Sequence, residues 1–116
     1  MTRIFLDEGV PKPLARSLRA YGLNAVPFPN DWKQLSNGSL LARIESEGFD
    51  VILTCDKQMP FQQNLAGRQL AIVILPTTKL LELVESVGPL ASVLGQARPS
   101  LAYRFRVAPA ELLQIN

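Results

Sequence analysis

The sequence predicts an α/β fold, a three-layer sandwich with helices on both faces of a mainly parallel sheet, from three observations. Strand-like and helix-like segments alternate along the chain, which is the signature of β-α-β units. The strand-like segments are continuously apolar, as expected where both faces of a sheet are covered. Two of them run directly into aspartates, Asp7 and Asp56, at the ends where parallel sheets place their ligands.

The elements follow in order. Arg3-Ile4-Phe5-Leu6 is a short buried-strand pattern that stops at Asp7-Glu8-Gly9. Pro11 and Pro13 then open a helix in which Leu14, Leu18 and Tyr21 recur at helical spacing, and Gly22 closes it. Residues 24–28 form a short strand, and the prolines at 27 and 29 place it at a sheet edge. The segment PNDWKQLSNG reads as loop. From Ser39, Leu40, Leu41 and Ile44 make one apolar face against Arg43, Glu45 and Glu47, a second helix ended by Gly48. Residues 50–54 form a β-branched strand leading into Cys55-Asp56.

After a loop or short helix in KQMPFQQNLAG, Leu70 to Leu75 is another apolar strand, halted by Pro76. Residues 79–97 carry a helical pattern interrupted at Gly88-Pro89. From Leu101 to Val107, apolar and basic residues alternate, predicting a half-exposed strand at the other sheet edge, with residues 108–116 as a tail. The whole, residues 1–116, is one domain of ordinary size.

Composition narrows the chemistry. With 47% hydrophobic and 19% charged residues the chain has enough apolar material for a core. No run approaches the roughly 18 apolar residues of a membrane span, and Asp7 comes too early for a secretory signal. The single cysteine, Cys55, fits a reducing compartment, so a cytoplasmic protein away from membranes is expected. The absence of histidine excludes Ser-His-Asp and Cys-His catalysis, imidazole acid-base chemistry and histidine zinc sites. Catalysis would have to rest on carboxylates, lysine or a hard metal ion. A net charge of +2 and a pI near 9.0 allow an anionic partner without requiring one.

Asp7 and Asp56 would meet if the first and third strands are neighbours. Their mutual repulsion would then be relieved by a shared divalent cation, Mg²⁺ or Mn²⁺, able to orient a phosphodiester and activate water. Glu8 is a further candidate ligand. Taken singly, either aspartate could instead cap the turn that follows it. Lys12, Arg16 and Arg19 form a basic stripe on the first helix where a phosphate backbone could lie, or which could simply face solvent. Arg104 and Arg106 on the last strand pose the same choice. Phe28, Trp32 and Phe61 are expected to anchor the core or loops rather than to stack on bases.

The stretches IFLDEGVPKPLARSLRAYG, LSNGSLLARIESEGFDVILTCDKQMPFQQNLAG and LAIVIL resemble a bacterial family of small PIN-like proteins regarded as toxins of toxin–antitoxin pairs. The distinctive features are the aspartate after the first strand followed by Val-Pro, the Asn-Gly-x-Leu-Leu helix start, and Thr-x-Asp followed by Gln-Gln-Asn-Leu-Ala-Gly. The resemblance implies a PIN-like fold and a metal-dependent ribonuclease. Asp7 and Asp56 match two acidic positions of its site. Asn37, Ser39, Gln62 and Asn64 would contribute polar contacts, and Lys12, Arg16 and Lys57 would hold phosphate. RNA would be the substrate and a small antitoxin-like protein the partner, with homo-oligomerisation left open. Relatives of this kind carry Asn-Gly-Glu where this chain has Asn37-Gly38-Ser39, so the implied site has two carboxylates instead of three.

A second resemblance, to receiver domains of response regulators, rests on Asp7-Glu8 and DVILTCDKQMP. It would make Asp56 a phosphoacceptor and Thr77 or Thr78 a switch hydroxyl. It lacks the lysine before a proline that receivers place after the last strand, where this chain has Val107-Ala108-Pro109. A third reading is a PIN-fold binding module without catalysis.

Overall fold

A computed structural model describes residues 2–62 and 64–116. In chain order the elements are β1 (Arg3–Leu6), α1 (Pro13–Ala20), β2 (Asn24–Val26), a 3-10 turn (Asn30–Trp32), α2 (Asn37–Ser46), β3 (Val51–Thr54), α3 (Met59–Gln62), β4 (Ala71–Ile74), α4 (Leu80–Glu85), α5 (Val87–Leu94), β5 (Ala102–Arg106) and β6 (Glu111–Gln114). They form one six-stranded sheet in the order β2-β1-β3-β4-β5-β6. The first five strands are parallel and β6 is antiparallel to β5.

The alternation of side chains along each strand divides the core into two clusters. On one face Ile4, Leu6, Val51, Leu53, Val73, Tyr103 and Phe105 meet Leu14 and Leu18 of α1, Leu83 of α4 and Leu90 and Leu94 of α5. On the other, Phe5, Ile52 and Ile72 meet Leu40, Leu41 and Ile44 of α2 and Met59 of α3. Phe5 is the centre of an aromatic group on this second face, with ring centroids 5.4 Å from Trp32, 5.9 Å from Phe28 and 5.3 Å from Phe49. Phe28 and Trp32 are therefore core residues, as expected, while Phe61 is exposed. The layered α/β arrangement with a mainly parallel sheet agrees with the sequence.

Three expectations in the carboxyl-terminal half of the chain are corrected. Residues 108–116 are not a tail: 111–114 make β6, and Ile115 and Asn116 continue the contact, with the Ile115 amide donating to the Ala102 carbonyl at 2.9 Å and Asn116 Oδ1 accepting from the Ala102 amide at 2.8 Å. In consequence β5 is not an edge strand but lies between β4 and β6. The helical break also falls earlier than Gly88-Pro89. α4 ends at Glu85 and α5 begins at Val87, because the Pro89 ring would clash with the carbonyl four residues back, that of Glu85.

The direction of the crossovers positions everything else. β1-α1-β2 steps toward one edge of the sheet with its helix on the first face. β2-α2-β3 and β3-α3-β4 step the opposite way on the second face, and so have the same hand. The β4-to-β5 crossover steps in that same direction, yet α4 and α5 lie on the first face, packed against α1. It therefore has the opposite hand. Since about 98% of such connections are right-handed, the three that agree are right-handed and the β4–β5 crossover is left-handed. No described helix covers the second face over the carboxyl halves of β4 and β5, which is why Arg104 and Arg106 are exposed there while Tyr103 and Phe105 are buried on the first.

Candidate functional site

The central β1–β3 pair brings the two aspartates to one place. Ile4, Phe5 and Leu6 lie opposite Val51, Ile52 and Leu53, and the Asp7 amide continues the ladder by donating to the Leu53 carbonyl at 2.9 Å. From this pair the chain leaves β1 toward β2 on one side and β3 toward β4 on the other. That divergence is the switch point where parallel α/β sheets bind ligands.

Thr54, the last residue of β3, joins the two acids. It is the one buried polar residue among those described, with no exposed surface. Its hydroxyl donates to Asp7 Oδ2 at 2.8 Å and accepts from the Asp56 amide at 3.0 Å. A buried hydroxyl left without partners is costly, so these two bonds fix both the Asp7 carboxylate and the turn carrying Asp56. The Thr-x-Asp pattern is visible in the sequence, but the part Thr54 plays at the site comes from the pairing of β1 with β3. The available signal was a polar residue ending an otherwise apolar strand beside an aspartate.

Asp56 is exposed, and its Oδ1 accepts from the Gln58 amide at 2.9 Å, so one of its oxygens caps the turn into α3. The capping role weighed from sequence is present for Asp56. Asp7 is half-buried. Cys55, between Thr54 and Asp56, donates from Sγ to the Thr77 carbonyl at 3.3 Å, and its thiol pKa is pushed up by burial and by the nearby negative charge of Asp7.

The remaining candidates are dispersed. Glu8 is turned toward Lys33, 4.0 Å away across an exposed pair that contributes little. Lys12 donates to Asn30 Oδ1 at 2.6 Å, and Arg19 to the Ala25 carbonyl at 3.3 Å. With Arg16 they line a shallow cleft of about 260 Å³ on α1. Ser39 is exposed in the first turn of α2 and shares a hydrogen bond of 3.1 Å with the Ser36 hydroxyl. Asn64 Oδ1 accepts from the Ala66 amide at 3.0 Å, a local turn, and Gln62 is exposed at the end of α3. None of these three makes a hydrogen bond to either aspartate among the described residues. The side chain of Asn37 and all of Gln63 lie outside the description. Thr77, one of the two candidate switch hydroxyls of the receiver reading, donates to Glu82 Oε2 on α4 at 3.1 Å.

No group of three or more metal-ligating side chains occurs among the described residues. What the switch point offers is a sparse set of hard oxygen donors: the Asp7 carboxylate, one oxygen of which already accepts from Thr54, and the second Asp56 oxygen. That set suits an ion such as Mg²⁺, which keeps several waters and is held by one or two carboxylates together with substrate phosphates. It would not suit a fully protein-caged ion.

Lys57 follows Asp56 directly and is exposed, on the side of β4 and β5. Comparison with family models, curated proteins and solved structures finds no match to this chain.

Proposed function

We propose that this protein is a PIN-like ribonuclease dependent on Mg²⁺ or Mn²⁺, acting as or derived from the toxin of a toxin–antitoxin pair in the cytoplasm. The observation that carries the reading is that Asp7 and Asp56 both follow the paired strands β1 and β3 at the switch point, with the Thr54 hydroxyl donating to the Asp7 carboxylate and accepting from the Asp56 backbone amide. Asp7 and Asp56 would hold the ion, which when bound lowers the pKa of water and offsets charge on a phosphodiester. Thr54 keeps the Asp7 carboxylate in one orientation, and its bond to the Asp56 amide keeps the second acid close. Lys57, next to Asp56, supplies a cation to the substrate phosphate. The small antitoxin-like protein and the RNA target are parts of the same proposal.

The test is cleavage of RNA by the purified protein with added Mn²⁺, compared with Asp7→Asn and Asp56→Asn. Each substitution is expected to lower the rate by at least about a hundredfold, the scale of losing a group that acts at the reacting centre. Equal cleavage by all three proteins, or by none, removes the catalytic claim. A second reading, a PIN-fold module that binds a partner without catalysis, is favoured by the two-carboxylate site and by the capping bond of Asp56. It predicts no metal-dependent cleavage and retention of a stable complex with the antitoxin-like protein in both variants.

A further inference from the structure

The left-handed β4–β5 crossover leaves a groove on the second face of the sheet, beginning beside Asp56. It has a volume of about 430 Å³ and is lined among others by Lys57, Ile74, Arg104, Arg106, Val107 and Leu113. The register explains the grouping. Ile74 pairs with Arg104, and Arg104 with Leu113, so the three side chains stand in a row on one face. Arg106, two residues further along β5, stands on the same face beside this row, and Lys57, from the turn after β3, also lines the groove. No carboxylate lines the groove among the described residues.

The three cations differ in availability. Arg106 is already engaged, by an ion pair with Glu111 and by a bond from Nε to the Pro109 carbonyl at 3.2 Å. Arg104 and Lys57 have no carboxylate partner among the described residues, although both are exposed. Two free cations over an aliphatic floor, with no acid in the lining, make the groove complementary to an anionic chain. Because Lys57 directly follows Asp56, a chain lying in the groove would pass one of its linkages by the aspartate pair.

We infer that this groove holds the phosphate backbone of single-stranded RNA beside the position to be cleaved, with Lys57 and Arg104 contacting phosphates. The inference rests on the ribonuclease reading above, which supplies the reason for preferring phosphodiester over carboxylate. The planar guanidinium of Arg104 can engage two oxygens of one phosphate, and the ammonium of Lys57 acts as a point charge. The aliphatic floor lies against sugar edges and excludes water. Arg106, held by Glu111, shapes the groove.

The experiment is fluorescence anisotropy of a labelled 12-nucleotide single-stranded RNA, titrated in EDTA so that metal-dependent cleavage cannot occur, at salt concentrations from 50 to 200 mM. For single strands each phosphate contact contributes about 0.7 to the slope of log affinity against log salt. The Lys57→Gln/Arg104→Gln double variant is expected to lower that slope by about 1.4 and the affinity at 50 mM salt by about tenfold. Arg98→Gln, at the opposite end of the sheet, is expected to bind as the parent does. Both altered side chains are exposed, and circular dichroism verifies that the double variant is folded. An unchanged slope, or no binding by the parent, overturns the inference. So does poly-glutamate that competes with the RNA at equal charge concentration and loses its own binding in the double variant, because the groove would then recognise acidic peptide. The two readings fail separately: binding in EDTA without any cleavage in Mn²⁺ removes the catalytic reading alone, and metal-dependent cleavage with a salt slope unchanged in the double variant removes the groove alone.

Discussion

Thr54 is fully buried, and its hydroxyl makes two hydrogen bonds, one to a carboxylate and one from a backbone amide. Valine has nearly the same shape but can make neither bond. Thr54→Val is therefore expected to destabilise the fold by about 1.5–3 kcal/mol, the range for a lost hydrogen bond to a charged group with a partner left unpaired, read from the midpoint of urea unfolding. Thr54→Ser keeps the oxygen and should recover most of that loss. Asp7 itself was legible in the sequence because an acid after an apolar strand is a local pattern. The role of Thr54 was not, since a threonine is equally at home in a strand for its β-branched shape. Only the facing register of β1 and β3 makes its hydroxyl a bridge.

At the level of elements, the strands and the first two helices follow from period and punctuation, with Gly22 and Gly48 in left-handed backbone conformations after their helices. β5 shows where that reasoning stops. Its alternation of buried and exposed residues is the same for a strand at a sheet edge and for an interior strand with one face bare of helix. Here the half-exposure comes from the missing helix, and β6 supplies the missing neighbour. Ending the chain after Ala110 would remove the β5–β6 ladder, the packing of Leu112 and the partners of the Ala102 amide and carbonyl. The truncated protein is expected to be less stable by about 2–4 kcal/mol, at roughly 1 kcal/mol per lost hydrogen bond, and to aggregate through the bared β5 edge. Thermal unfolding with light scattering measures both effects.

Across the whole molecule the sheet separates two cores that share its strands but not their side chains. Ile4 belongs to the first and Ile44 to the second. Ile4→Val and Ile44→Val should each cost about 0.5–1.5 kcal/mol, and the double variant should lose their sum within about 0.5 kcal/mol, because neither side chain touches the other's cluster. A larger deviation in chemical denaturation would mean that the two layers repack together. The same separation explains why the groove and the α1 stripe are independent basic features: Arg104 stands on the second face, whereas α1 covers the first.

The α/β class, the position of both aspartates at strand ends and the lack of any histidine chemistry can be read from the chain alone, because these depend on composition and on patterns a few residues long. The tertiary structure decided which strands are neighbours, that residues 111–114 extend the sheet, and that the last parallel crossover turns to the first face. Those outcomes depend on which distant segment each strand pairs with and which face each helix covers, and the local pattern is the same for either choice. The Asp7–Thr54–Asp56 arrangement draws on both: the acids were placed by local sequence, and their junction by the parallel pairing of β1 with β3.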